Sequence, residues 1–231
     1  FEFSGNGHEQ ISVYGANVYN ADQYIGFWQL VWSKKINSKH DLLSGATFRY
    51  IYYDDNTPAT STSAGRNAPS KTLLPGVFVQ DEWTINKQNK LLMSARYDYN
   101  SLHGSILSPR LNYKWNSKDR MNTLRLSVGN GYRVANVFTE DHAALTGARE
   151  VVFAEELDPE TSWNTNLNFV KQIFTDNNTF ITLDATAFYT HFSNKIIPDY
   201  DTDPNKIIYA NLDGFAVSRG FSMNVNASFT N

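Results

Sequence analysis

Few side chains in this chain have the types and spacing that catalysis or metal binding would require. The strongest candidate is the carboxylate run of Asp199, Asp201 and Asp203, which alternates like the start of a calcium-binding loop. A loop of the EF-hand type also needs glycine at its sixth position and glutamate at its twelfth, but Pro204 and Ala210 occupy those positions. A turn-forming loop is therefore the better interpretation, with adventitious calcium binding as the alternative.

The remaining chemical motifs are incomplete. His142 follows two acidic residues and could contact a metal-bearing ligand, but no second histidine lies at ligand spacing, so a solvated loop histidine is the better interpretation. Gly129-Asn130-Gly131 lacks the following helix that phosphate binding would need. The sequence contains no G-x-S-x-G or H-E-x-x-H motif and no cysteine. We therefore expect neither an enzyme nor a bound cofactor or structural metal.

The composition favours β structure over nucleic-acid binding or helical membrane insertion. Aromatic residues make up 14% of the chain, including 13 Tyr and 5 Trp, and such residues are enriched in strands and at surfaces between apolar and aqueous surroundings. The net charge is −3, so no basic surface for nucleic acid is expected. The mean hydropathy is −0.44 and no apolar stretch is long enough for a spanning helix.

The elements that would position any site are two-faced strands. Near the end of the sequence Phe221, Met223 and Val225 alternate with Ser222 and Asn224, the period of two that a sheet with one apolar face requires. Helical periodicity is nowhere sustained, so the sequence predicts an all-β fold of about ten antiparallel strands. Alternation, in places less regular, predicts strands near residues 23–34, 41–53, 72–83, 91–100, 107–115, 124–129, 163–174, 181–189 and 221–229.

The connections between these strands alternate in length. Short ones are expected at 35–39, 85–89, 116–120 and 175–178, and looser ones near 54–71, 101–105, 133–159 and 194–205. An up-and-down barrel of the outer membrane has short turns on one side and long loops on the other. Strands of ten to fourteen residues would reach about 33–46 Å, enough for a tilted strand to cross a bilayer core. A soluble β-sandwich would share the alternation but has shorter strands.

Aromatic and charged residues fit the barrel interpretation. Tryptophans precede short turns and tyrosines lie toward long loops. This is the arrangement expected of two aromatic belts, one at each membrane interface. Charged residues occupy the polar face, which suits a wet interior. The belt residues are Trp32, Trp83 and Trp115 at one end and Tyr52, Tyr53, Tyr97, Tyr99 and Tyr132 at the other, and the charged residues are Arg96, Asp98, Arg110, Lys114, Arg125 and Asp184.

Four segments, in order, resemble the barrels of TonB-dependent outer-membrane receptors. LSVGNGYRVANVF at 126–138 matches that family's Gly-aromatic-Arg motif, although it lacks the usual proline, and EELDPETSWNTNLNF at 155–169 matches its Leu-x-Pro-Glu re-entry segment. GVFVQDEW at 76–83 resembles a third family strand. The segments 209–212 and 218–221 resemble the family's Asn…Arg-Gly strand, with Ser222 where glutamate is usual.

The resemblance implies a receptor in the Gram-negative outer membrane that binds a scarce nutrient, such as a siderophore, haem, cobalamin or an oligosaccharide. Its partners would be that nutrient, the surrounding lipid, and TonB acting through a plug domain, with no nucleic acid. Such barrels have about 22 strands, so residues 1–231 are expected to be a plugless partial barrel from the middle-to-late strands. The alternatives are a porin-like channel without energised transport and a soluble secreted β-sheet protein that binds glycans or mediates adhesion.

Loop aromatics and polar groups are the expected ligand contacts, because binding residues concentrate on loops and because the resemblance implies an outer binding site. For Tyr132 and Arg133, packing against the plug or ordering of the loop is the alternative. The predicted ligand contacts are Tyr52, Tyr53, Tyr132, Arg133, Phe138, His142 and Tyr200.

Overall fold

A computed structural model describes residues 1–62, 64–135, 137–140, 144, 149–175 and 179–229. Within these residues a large sheet, a small sheet and two single-turn helical segments account for the regular structure. None of the helices described is long and apolar enough to cross a membrane.

The large sheet is an antiparallel meander of ten strands, as predicted for an all-β chain. Each strand pairs with the preceding and following strand of the sheet, so β1 and β13 form its two edges. The strands are β1 (Glu2–Tyr14), β2 (Asn17–Lys35), β3 (His40–Asp55), β4 (Ser70–Thr84), β5 (Asn89–Asn100), β6 (Gly104–Asn116), β7 (Asn122–Arg133), β9 (Glu160–Phe174), β10 (Thr179–Asn194) and β13 (Ala216–Phe229).

Three short strands and two helical turns lie in the connections. β8 (Glu150–Phe153) pairs in parallel with β12 (Lys206–Asn211), and β12 pairs antiparallel with β11 (Ile196–Asp199). A 3₁₀ turn covers Pro58–Thr60, and one α-helical turn, α1, covers Val137–Glu140. The small sheet was not predicted, because its strands are too short to show a period.

All nine predicted strands are confirmed, and β1 was missed. Gly5 and Gly7 interrupt any apolar alternation there, yet the strand is paired with β2 over its full length, from Glu2↔Gln29 to Tyr14↔Asn17. Gly15 makes the tight connection possible, because its φ of +62° is a conformation that glycine adopts readily.

The connections define two ends of the sheet. We call the end with the connections 36–39, 85–88, 117–121 and 175–178 the turn end, and the opposite end the loop end. The loop end carries the long connections 56–69, 134–159 and 195–215. The connection near 101–105, expected to be loose, is instead a tight turn between Asn100 and Gly104, in which Asn100 Oδ1 accepts the Leu102 N–H at 2.9 Å.

The two faces of the large sheet differ in chemistry. The apolar face exposes large aliphatic and aromatic side chains, among them Val77, Leu167 and Phe221, whereas the opposite face lines a cavity with polar groups. Trp32, Trp83 and Trp115 belong to the apolar face at the turn end because they share strand parity with its exposed residues. At the loop end Tyr24, Tyr52, Tyr97 and Tyr99 lie on this face, whereas Tyr53 and Tyr132 line the cavity and are not belt residues.

Pro109 lies within β6, a central strand. A proline has no N–H to donate and is usually confined to edges or bulges. Pro109 pairs with Ala95 on one side, and on the other side the β6–β7 ladder ends at the next residue, Arg110, which pairs with Gly129. Pro109 therefore lies just beyond the end of the β6–β7 ladder, where no N–H is needed for pairing with β7. This explains how a proline is accommodated in a central strand.

A partly buried ionic network stabilises the middle of the cavity face. Arg96 donates from Nε and Nη2 to the two carboxylate oxygens of Asp98 at 2.6 and 2.7 Å, and from Nη2 to Thr47 Oγ1 at 2.8 Å. Asp98 is 7% exposed, so its charge depends on this pairing. Gly76 lies directly opposite Asp98 on the neighbouring strand and leaves the space that the carboxylate occupies.

Gly76→Ala is therefore expected to destabilise the fold. A Cβ atom at residue 76 would lie 2.0 Å from Asp98 Oδ1, so the network would have to shift. Overpacking of this kind costs about 1–3 kcal/mol, and thermal unfolding of the purified protein would measure the loss. Gly26→Ala is the matched control, because nothing lies within 4 Å of the added methyl group. Equal stability of the two variants would contradict the role assigned to Gly76.

Candidate functional site

A large open cavity lies at the loop end of the sheet. Its volume is about 1360 Å³, and its lining comes from the cavity face of β1–β7 together with segments of the long connections. The lining combines phenol, guanidinium, amide and apolar groups. Representative lining residues are Tyr19, Arg49, Tyr53, Asn100, Tyr132 and Leu157.

The small sheet β8–β11–β12 forms a cap at the loop end. The two longest connections of the chain build it together, because β8 comes from residues 134–159 and β11 and β12 come from residues 195–215. Ile207 and Tyr209 of β12 are 0% and 2% exposed. They share an apolar cluster with Tyr19 and Ala21 of β2 and with Val137, Phe138 and Ala144. The cap is therefore packed against the part of β2 at the loop end.

An ion pair connects the bases of the two cap connections. Arg133, the last residue of β7, donates from Nε and Nη2 to Glu160 Oε2 at 2.9 and 2.5 Å. The other oxygen, Glu160 Oε1, accepts the backbone N–H of Ile196 at 3.2 Å. The Glu160 side chain is 8% exposed, so the carboxylate lies in surroundings where an unpaired charge would be costly. One carboxylate thus holds together the end of β7, the start of β9 and the start of β11.

Two asparagines add a second set of contacts at the same place. Asn194 Nδ2 donates to the carbonyl oxygens of Asp158 and Pro159 at 3.2 and 3.1 Å, and to Asn211 Oδ1 at 3.2 Å. Asn211 Oδ1 also accepts the Asp158 N–H at 2.9 Å, and Asn211 Nδ2 donates to the Glu156 carbonyl at 2.8 Å. These side chains fix the cap connections to one another at their bases.

Sequence reasoning did not identify Glu160, Asn194 or Asn211 as site residues. Glu160 belongs to the re-entry motif and Asn211 to the segment at 209–212. The motifs therefore contained these residues but did not show which groups they contact. The structure shows that the Gly-aromatic-Arg and Leu-x-Pro-Glu motifs meet through Arg133 and Glu160. This contact supports the alternative that Arg133 orders the loop.

Tyr53 reaches the cavity as part of a hydrogen-bonded chain. Its hydroxyl lies 2.7 Å from the Tyr19 hydroxyl and donates to Asp55 Oδ2 at 2.8 Å. Asp55 Oδ1 in turn accepts from the hydroxyls of Thr57 and Thr60, each at 2.7 Å. Because Thr60 is 1% exposed, this chain anchors the connection after β3 while the Tyr53 ring lines the cavity.

The other predicted contact residues are dispersed. Tyr132 lines the cavity, and Phe138 is 3% exposed within the apolar cluster, with its ring 6.2 Å from that of Phe153. Tyr52 lies on the apolar face, 5.9 Å from the Tyr24 ring. Tyr200 is 39% exposed, and its carbonyl accepts from Arg149 Nη1 at 2.9 Å. His142 lies outside the described residues.

The carboxylate run at 199–203 forms turns. Asp199 Oδ1 accepts the N–H groups of Asp201 and Thr202 at 2.9 and 3.0 Å, and Oδ2 accepts the Thr202 hydroxyl at 2.6 Å. These bonds, led by the Thr202 hydroxyl, lower the pKa of Asp199. The oxygens that calcium would need are thus engaged in the turn, in agreement with the turn-forming interpretation. Across the described part of the chain, no group of three or more His, Asp or Glu residues could hold a metal ion.

Comparison with known proteins gives concordant matches. The family model described as "TonB dependent receptor-like, beta-barrel" matches residues 2–231. The iron-regulated outer membrane virulence protein of Vibrio cholerae serotype O1 is 28% identical over 160 residues, which are 68% of this chain and 23% of that protein. The chain therefore spans about a quarter of the curated relative's length.

Solved structures share the fold at low sequence identity. A variant of the ferric enterobactin receptor from Pseudomonas aeruginosa, solved with enterobactin, has a TM-score of 0.65 and 18% identity, covering 89% of this chain and 33% of that chain. The siderophore receptor PirA from Pseudomonas aeruginosa has a TM-score of 0.66 and 16% identity, covering 96% of this chain and 46% of that chain. At these identities the matches establish the architecture and leave the ligand to separate arguments.

Proposed function

Because this chain belongs to the β-barrel family of TonB-dependent receptors, we propose that it forms part of the wall of a Gram-negative outer-membrane receptor that imports a ferric siderophore. The observation that carries the proposal is the ten-stranded meander with an apolar face between aromatic belts, matched to the family over nearly the whole chain. In this arrangement the turn end faces the periplasm and the loop end faces the outside.

The unpaired edges of the sheet support its placement in a larger barrel. Within the described residues β1 pairs only with β2, and β13 only with β10. Backbone groups left unpaired in a bilayer cost several kcal/mol each, so both edges require neighbours. We propose that further strands of the same receptor supply them, with residues 1–231 as a segment of the barrel.

The cap favours a receptor over an open channel. A porin-like channel needs an unobstructed interior, whereas here the two longest connections fold into one unit that is packed against β2 beside the cavity. A cavity of about 1360 Å³ beside this cap suits the capture of a compact ligand from outside. Transfer inward would use energy relayed by TonB through a plug domain, as the family implies.

A ferric siderophore is the ligand class that we propose, because the V. cholerae relative is named as iron-regulated, one structural neighbour is named as a ferric enterobactin receptor and another as a siderophore receptor. Such ligands present oxygen atoms around the iron, and those of the catecholate type also present flat rings. Arg49, Tyr53 and Tyr132 offer a guanidinium and two phenol rings in the cavity lining, and these groups suit hydrogen bonding and stacking.

The remaining predicted contacts receive different proposed roles. Arg133 and Phe138 hold the cap in place, because each is engaged in the contacts described above. Tyr52 belongs to the interfacial belt, Tyr200 is exposed at the cap surface, and His142 stays a predicted contact.

Tyr53→Ala is expected to weaken uptake, because it removes a phenol ring that lines the cavity. Tyr52→Ala is the matched control, because it removes the ring of the adjacent residue, which lies on the opposite face of the sheet. Loss of a central aromatic contact costs about 1–2 kcal/mol, or roughly tenfold in affinity. The measurement is uptake of radioactive ferric enterobactin and of a hydroxamate siderophore by cells that lack other siderophore receptors. We expect about a tenfold higher half-saturating concentration for Tyr53→Ala and little change for Tyr52→Ala at equal surface abundance.

The same assay tests the proposed function as a whole. Uptake that disappears in a strain without TonB would support an energised receptor. Uptake that persists without TonB would favour the channel alternative, and no uptake of any ferric siderophore would contradict the proposed ligand class.

A further inference from the structure

Two lysines lie on the apolar face of the large sheet, near its turn end. Lys34 of β2 shares strand parity with Trp32, and Lys171 of β9 shares it with Leu167, and both lysines are exposed. Because successive strand residues point to opposite sides of a sheet, these two side chains point away from the cavity. We call Lys34 and Lys171 the turn-end lysines.

The position of Lys171 along its strand corresponds to the edge of a lipid-facing band. Lys171 lies four residues nearer the turn end than Leu167, which is in the middle of β9. Four strand residues span about 13 Å, or about 10 Å along the membrane normal at a tilt near 40°. The apolar band of a transmembrane barrel is about 25 Å tall, so its edge lies about 12 Å from its middle. The long stem of a lysine there can bring its ammonium group to the lipid headgroups.

The turn-end lysines have no acidic partner within the described part of the chain. Neither forms an ion pair with a described residue, and the residues directly opposite them in the sheet are uncharged. Lys34 Nζ lies 5.9 Å from the centroid of the Trp32 ring, so this ammonium group is held beside an aromatic ring. Both cations are therefore available to an anion from outside the protein.

The one described carboxylate on this part of the apolar face is engaged elsewhere. Asp81 of β4 shares strand parity with Trp83, and its Oδ2 atom lies 2.7 Å from Nδ1 of His40. The His40 ring stacks on the Trp83 ring, with centroids 5.7 Å apart. A neighbouring side chain of the sheet thus contacts the carboxylate, and the turn-end lysines keep their positive charge without a counter-charge.

The charges of the two ends of this face differ in sign over β1–β3. At the loop end Glu9 lies directly opposite Asp22, and Asp22 lies directly opposite Asp54, so a row of carboxylates crosses three neighbouring strands. At the turn end the connections 36–39, 85–88 and 117–121 contribute cations and a single carboxylate, namely Lys39, Lys87, Lys118, Arg120 and Asp119. An anionic surface in contact with the turn end would therefore meet mainly positive charge.

We propose that the turn-end lysines bind the phosphate groups of anionic phospholipids in the membrane leaflet that faces the periplasm. Trp32, beside Lys34, suits the same boundary, because tryptophan is enriched where acyl chains meet headgroups. A lysine near an anionic membrane surface gains roughly fivefold in affinity. The inference rests on the proposed placement of the chain in an outer membrane with its turn end in the periplasm, and it does not depend on the nutrient that is imported.

Photoactivatable phospholipids test this surface. The receptor is reconstituted in phosphatidylcholine vesicles that contain a trace of phosphatidylglycerol or phosphatidylcholine with a diazirine in the headgroup, and crosslinked residues are located by mass spectrometry. Near residues 34 and 171 we expect phosphatidylglycerol to crosslink about fivefold more than phosphatidylcholine. The double substitution Lys34→Gln and Lys171→Gln should bring this ratio close to one.

Lys114→Gln is the matched control for the double substitution. Lys114 is an exposed lysine of β6 that shares strand parity with Arg110, which lines the cavity, so it lies on the face opposite the turn-end lysines. Its replacement removes a positive charge near the same end of the sheet without altering the apolar face. The lipid preference near residues 34 and 171 should stay as in the wild type.

Two outcomes would overturn the lipid-binding role of the turn-end lysines: equal crosslinking by the two lipids in the wild type, or a preference for phosphatidylglycerol that survives the double substitution. Uptake of ferric siderophore by the same variants separates these outcomes from the proposed function. Intact uptake without a lipid preference would overturn the lipid-binding role alone. Crosslinking by neither lipid would instead contradict the placement of this face in a membrane, and with it the proposed function.

Discussion

Replacing Leu167 by arginine is expected to prevent stable assembly of the barrel in a membrane. Leu167 is 45% exposed in the middle of β9, on the apolar face. It lies in a row of apolar side chains that runs across four strands, opposite Leu126 of β7 and Ala187 of β10, with Phe221 of β13 opposite Ala187. A soluble protein would have no reason to expose such a row.

The expected loss of stability follows from the lipid that this row would face in a membrane. Arginine at the middle of the lipid face of a transmembrane barrel costs about 2–4 kcal/mol. We expect Leu167→Arg to lower the amount of folded receptor in the outer membrane and to reduce its resistance to urea in phospholipid vesicles by that amount.

Asn166→Arg is the matched control for Leu167→Arg. Asn166 is the adjacent residue, and its side chain lies on the polar face, where it hydrogen-bonds to Asn164. The same charge placed there contacts water and polar groups, so the loss should be below about 1 kcal/mol. Equal tolerance of the two arginines would contradict a lipid-facing apolar surface.

Arg133→Ala is expected to release the cap while leaving the large sheet intact. The substitution removes the cation from a carboxylate that is 8% exposed, and leaves Glu160 Oε1 with the backbone N–H of Ile196 as its donor. Removing one partner of a fully buried ion pair costs about 3–5 kcal/mol. Because the Arg133 side chain is 54% exposed, solvent screening reduces this to about 1–3 kcal/mol.

Limited proteolysis of the receptor in detergent would measure the effect, since cleavage in residues 134–159 reports local opening. We expect cleavage to become roughly fivefold to 150-fold faster, in line with an opening free energy lowered by about 1–3 kcal/mol. Lys206→Ala is the control, because it removes an exposed pair in which Nζ and Glu150 Oε2 are 3.9 Å apart, and such pairs contribute about 0–1 kcal/mol. Comparable cleavage of the two variants would show that Arg133 does not hold the cap.

The large sheet could be predicted because the alternation of apolar and polar residues is visible within each strand. A strand with one apolar face shows a period of two, and the segments ending in Asn100, Trp115 and Phe229 do so clearly. The opposite faces of Tyr52 and Tyr53 were also available from this period, because adjacent strand residues point to opposite sides. Treating both tyrosines as ligand contacts overlooked that signal.

The cap could not be predicted because its contacts are distant in sequence. β8 and β12 are separated by more than fifty residues and are four and six residues long, too short for a period to be recognised. From the sequence, Phe138 was predicted to be a loop aromatic that contacts ligand. Nothing near it in the sequence indicates that it packs in one cluster with Ile207 and Tyr209. The role of Glu160 likewise becomes visible only when β7, β9 and β11 are brought together.

We propose that this chain crosses the outer membrane with its loop end outside and its turn end in the periplasm. The absence of cysteine from the chain allows single cysteines to be introduced at defined places. Labelling of intact cells with a membrane-impermeant maleimide should modify D201C in the cap connection and should modify K118C, in the turn between β6 and β7, only after the outer membrane is permeabilised. Labelling of K118C but not D201C in intact cells, or equal labelling of both, would contradict this orientation.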